Sequence, residues 1–140
     1  MKTAQPILTT SIAAAADLTA KANYLIGFDG AVCGANAKPL GVLQDNTVLG
    51  EMAPVVCAGI ALVISGAAIS VGAALVSTSA GKATPATTFS ATPPSGQTPV
   101  TSTGAQPAMT LAGSVLPQVI FGYALDAASD ANEYIRVLLV

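Results

Sequence analysis

Thirty consecutive residues between Glu51 and Lys82 carry no charged side chain. Such a stretch becomes either a membrane helix or a group of buried strands, and the order of its residues favours strands. Ile60, Leu62 and Ile64 alternate with Ala61, Val63 and Ser65, and after Gly66 the large residues return as Ile69, Val71 and Leu75. A two-residue period places successive side chains on opposite faces of a sheet. Gly41, Gly50, Gly59, Gly66, Gly72 and Gly81 divide the region into pieces suited to short strands joined by tight turns. A membrane helix needs about twenty apolar residues in one run. The length is sufficient here, but Pro54, the internal glycines, Ser65 and Ser70 weaken a helix, and no Trp or Tyr flanks the segment as an interfacial belt. A small membrane protein with a helix over 53–76 is the alternative.

Composition supports the strand reading. Apolar residues make up 52% of the 140, yet only 4% are aromatic, so the core is built from alanine and β-branched side chains. The chain is long enough to bury such a core without disulfides or metals. Charged residues make up 9%, against roughly 25% in an ordinary soluble domain. So little charge implies that much of the surface is covered by lipid, by copies of the chain or by a larger assembly. Lys2, Lys21, Lys38, Lys82 and Arg136 are scattered and the net charge is −2, which leaves no basic patch for nucleic acid.

The chain divides into an arm over 1–20 and a β domain over 21–140 with a long insertion over 83–117. In the arm, Lys2 followed by Ile7 to Ala16 imitates a signal peptide, but Pro6, Thr9, Thr10 and Ser11 interrupt the apolar region. Ser11 is placed to cap a short helical turn over Ala13 to Ala16, too short to be stable unless docked. Strands are expected from Asn23 to Phe28, returning through an Asp29-Gly30 turn to Ala31–Gly34. Others are expected over Pro39–Leu43, through the glycine-spaced region to Val76, over Gln118–Leu125 and over Tyr134–Val140. Within 83–117 lie six of the nine prolines, eight threonines and no charge. Proline fixes φ and removes a ladder donor, so this stretch is expected to be an extended loop. Its uncharged surface is inexpensive to desolvate, which suits it to pack between neighbouring copies.

The chemistry of catalysis is missing. Without histidine neither a Ser-His-Asp nor a Cys-His arrangement exists. Asp126 and Asp130 are four apart, but their setting reads as a solvated turn, as do those of Asp29 and Asp45. Gly81-Lys82 lacks both the first glycine and the following hydroxyl of a phosphate-binding loop. Cys33 and Cys57 are too few for a disulfide framework and read as small core residues. No metal-ligand spacing stands out, so no cofactor is expected, and the chain is not expected to be an enzyme.

Pro39-Leu40-Gly41-Val42-Leu43, the glycine-spaced strands, Gly81-Lys82-Ala83 and Gly122-Tyr123-Ala124-Leu125-Asp126-Ala127-Ala128 together resemble the capsid cement, or head decoration, proteins of tailed bacteriophages. Ala14-Ala15-Ala16-Asp17-Leu18-Thr19-Ala20 looks like that family's opening segment. The likeness covers 13–82 and 118–140, and its specificity lies in the order of short motifs. It implies an all-β fold, a small β-barrel or β-tulip-like domain that forms homotrimers and uses no cofactor. It further implies a virion protein made in the host cytoplasm, binding neither nucleic acid nor membrane. The expected partner is the major capsid protein on the outer surface of the head, at three-fold and quasi-three-fold positions. There the trimer would stabilise the shell against the pressure of packaged DNA. The arm is expected to lie extended across a capsid subunit or a neighbouring cement chain, adding a strand to an exposed edge, with Ile7, Leu8, Ile12, Asp17 and Leu18 as its capsid-binding residues. Segment 83–117 departs from shorter members of the family. The competing β reading is a fibre or host-binding module, which would present an aromatic platform.

Overall fold

The charge-free run supplies the longest strand among the described residues. In the computed structural model, which describes residues 2–87 and 118–140, eight strands form one sheet and no helix occurs among those residues. In chain order they are β1 (Gln5–Ala13), β2 (Leu25–Ile26), β3 (Gly41–Leu43), β4 (Met52–Ile64), β5 (Ala74–Ser77), β6 (Ala83–Pro85), β7 (Gly122–Ala124) and β8 (Tyr134–Leu139). The spatial order is β2-β3-β4-β8-β7-β5-β6, with β1 beside β4, and every strand pair is antiparallel. The two ends of this series approach each other. Leu25 N donates to Gly81 O at 2.8 Å, Gly66 N donates to Ala83 O at 2.7 Å, and Ser65 bridges Ala83, so the sheet nearly closes into a barrel.

β4 organises this arrangement because both of its edges are used. Val56 pairs with Val42 of β3 and Thr9 of β1, while Ile60 pairs with Leu138 of β8 and Gln5 of β1. β1 therefore runs along one edge, and β3 followed by β8 along the other. The expected division at each glycine does not occur here, since β4 continues through Gly59. That residue has φ +103°, in the region that favours glycine, and a side chain there would collide with Gln5 O at 2.5 Å and Ile7 N at 2.7 Å. The register of β1 against β4 shifts next to it, between Pro6 and Leu8 and again between Leu8 and Thr9. Pro54 is tolerated within β4 because its carbonyl accepts from Gln44 N at 3.0 Å, one residue beyond the end of β3, where little pairing is lost.

Three further expectations change. Ser11 lies inside β1 and caps nothing. Residues 83–85 form β6, with Pro85 on a terminal strand that tolerates a missing donor, so the loop begins later than expected. The rest of that segment, 88–117, lies outside the described residues, and so does its expected packing between copies. A helix over 53–76 is overturned, because those residues hold β4 and β5; no helix among the described residues is long and apolar enough to cross a membrane.

The core has two parts. Val42, Val56, Ala61, Val63, Leu75, Phe121, Ile135 and Val137 fill the barrel interior with Leu25, Ile69 and several small residues, and Phe121 is the largest fully buried side chain among the described residues. A second cluster of Ala14, Leu18, Ile26, Leu43, Ala53 and Val55 packs the segment after β1 onto β2, β3 and the first half of β4. That half of β4 is thus covered on both faces, Val56 facing one cluster and Val55 the other. Cys33 and Cys57 are free thiols, and burial pushes the Cys33 thiol up. Phe121→Ala should lower unfolding free energy by about 3–5 kcal/mol and Leu18→Ala by about 2–5 kcal/mol in urea titrations. A near-neutral Leu18→Ala would mean that residues 14–18 are not part of the folded core.

Candidate functional site

Among the described residues no group of three or more His, Cys, Asp or Glu is gathered to hold a metal. The arm supplies the first candidate surface. β1 pairs with β4 along its length, yet all its residues except the half-buried Ile12 are exposed. Ile7 is 85% and Leu8 56% exposed. Because Pro54 directs its carbonyl to Gln44, its partner Ser11 turns its own N–H and C=O away from β4, and strand alternation gives Thr9 the same direction. The arm is thus an edge strand offering backbone groups and two large apolar side chains.

The expected contact residues separate into three kinds. Ile7 and Leu8 are available to a partner. Ile12 leans on the second core cluster. Asp17 is exposed, but its carboxylate accepts from Thr19 N at 3.0 Å and from the Thr19 hydroxyl, which lowers its pKa. Leu18 is fully buried and bridges Thr47, so its expected role as a surface contact is corrected to a core role.

A second surface was not singled out from the sequence. Directly paired residues of an antiparallel sheet share a face. The register aligns Ile60, Leu138 and Tyr123 in one row and places Leu62 beside Arg136 and Ile64 beside Tyr134. Ala61, Val63, Ile135, Val137 and Ala124 point inward, so this row is the barrel's outer face. Leu138 and Tyr123 are each 42% exposed and Tyr134 is 50% exposed. Tyr134 to Leu139 carries large residues in both phases, so alternation alone does not say which phase faces out.

Arg136 is held on that face by Asp126. Its Nε and Nη2 each donate to the carboxylate at 2.9 Å, and its backbone N donates to Oδ2 at 3.0 Å. The Asp126 side chain is 16% exposed. These hydrogen bonds hold the Asp126 pKa down to about 2. A depressed folded-state value stabilises the protein above the unfolded value, and that contribution disappears as pH falls through the folded one. The stability gap between wild type and Asp126→Asn, measured by denaturant titration, should therefore be full at neutral pH and shrink from 3.8 toward about 2. A gap independent of pH over that range would exclude the ion pair as its source.

No curated protein matches the chain. The structure is similar to the crystal structure of the head fiber gp8.5 N base in bacteriophage phi29, with a TM-score of 0.62, 18% identity and 95% of each chain covered. At that identity the likeness concerns the fold. The phage cement protein family matches residues 1–139, and the chain belongs to that family.

Proposed function

We propose that this protein cements the phage head from outside, binding the major capsid protein as a homotrimer at three-fold and quasi-three-fold positions. Family membership over nearly the whole chain carries the reading. The exposed arm supports it physically. A strand with free backbone groups and outward Ile7 and Leu8 gains most of its burial only when a second surface covers it. A cement protein adds interface that must break before shell subunits separate, and linked copies multiply modest single contacts. The fold likeness to a head fiber base favours a fibre module as second reading. Gain in heat resistance of decorated heads distinguishes the two.

Ile7→Asp/Leu8→Asp should leave unfolding free energy within about 0.5 kcal/mol, because both side chains are exposed. The same variant should bind undecorated heads about tenfold or more weakly, with loss of the heat resistance that wild type confers. Unchanged occupancy of the heads would remove the arm from the contact.

A further inference from the structure

We infer that β1 is a strap poised to close: its tip, residues 2–8, opens from β4 about Ile7 and Leu8 in the free protein, while its root, Thr9 to Ala13, stays in the sheet. The tip closes when a partner covers Ile7 and Leu8. That closing step rests on the arm being the head contact; the opening does not depend on it.

The hinge lies in the register. Pro6 pairs with Gly59 and Leu8 with Ala58, which leaves Ile7 without a paired residue in β4; Thr9 then pairs with Val56, which leaves Cys57 without one in β1. An extra residue in each strand interrupts the ladder on both sides of Leu8. The two insertions cancel, so that Gln5 meets β4 again at Ile60. β1 therefore consists of two short ladders joined by an irregular step, and the outer one can open without breaking the inner one.

The two parts are held differently. At the root, Ile12 packs on the second core cluster and Ala13 O lies against Gly30, where a side-chain carbon would collide with it. The chain just beyond is tied by Ala14 N to Glu51 O at 2.8 Å, Gly50 N to Ala14 O at 2.9 Å and Ala15 N to Gly30 O at 3.0 Å. The tip has no such anchor. Residues 2–8 are all exposed, and none belongs to or packs against either core cluster. Lys2 Nζ, which donates to Tyr134 O at 2.7 Å on the surface, holds its far end. Local opening is easiest where few apolar contacts are lost and where the backbone bonds given up are replaced by bonds to water. The tip meets both conditions, and the root meets neither. A partner that covers Ile7 and Leu8 as they lie on β4 binds the closed state alone and draws the tip into it.

Amide hydrogen exchange of the full chain, quenched and read residue by residue by mass spectrometry, tests this in solution and on decorated heads. The reporters are Gln5 and Ile7 for the tip, whose backbone lies against Gly59, and Thr10 and Ile12 for the root. In solution the tip amides should exchange at least about 100-fold faster than the root amides. On heads they should slow to within about tenfold of the root. Tip amides as protected as the root in solution, or root amides as fast as the tip, would overturn the inference. The head samples separate it from the reading of the arm. Two rates in solution with a tip equally fast on occupied heads would leave the hinge standing and remove the arm from the head contact; one shared rate in solution with tip amides slowed on heads would remove the hinge and keep the arm as the contact.

Discussion

The narrowness of the barrel interior is the constraint from which the rest follows. Eight strands close around Phe121, Leu25, Ile69, Leu75 and Ile135 together with alanines and valines, and close packing leaves little space for further large residues. Gly41 marks the tightest approach, where a side-chain carbon would lie 2.0 Å from Val56 O. Gly122 similarly lies against Leu138 O. Both glycines fall within the motifs that resemble the cement family, and the structure gives those motifs a steric meaning: each is a place where a strand lies too close to its paired neighbour to admit a side chain.

Large apolar residues beyond those that fill this interior lie elsewhere. Some enter the second cluster, where Leu18, Ile26 and Leu43 anchor the segment after β1. Others remain on the outer face and on the arm. The low charge of the chain is the compositional counterpart of this geometry. Surface that a free-standing domain would cover with Lys and Glu is here occupied by Ile, Leu and Tyr, and this suits a protein whose surroundings in the virion are other proteins.

β4 connects these surfaces mechanically. Its first half is covered on both faces and carries the arm; its second half forms the barrel wall with β8. Any partner gripping β1 pulls on a strand hydrogen-bonded along the central element of the core. Force delivered there is shared by the whole ladder and does not fall on a flexible tether. The Arg136–Asp126 pair performs a smaller task of the same kind, tying the turn after β7 to β8 on the outer face.

The sequence by itself determined the class of fold, because a two-residue alternation over a charge-free run with turn residues at its breaks is compatible with little besides a sheet. It also located β3, β7, β8 and the Asp29-Gly30 turn, since each has a local signal in β-branched residues or a turn dipeptide. Tertiary structure alone decided that Gly59 would bend one long strand and not end it, for a glycine reads as a break until the neighbour it must accommodate is known. Leu18 was legible as apolar, but whether it faced a partner or its own core depended on Thr47 and Leu43, distant in sequence. The outer face of Ile60, Leu138 and Tyr123 was invisible for the same reason: pairing register, a long-range property, decides which phase of each alternating strand points out.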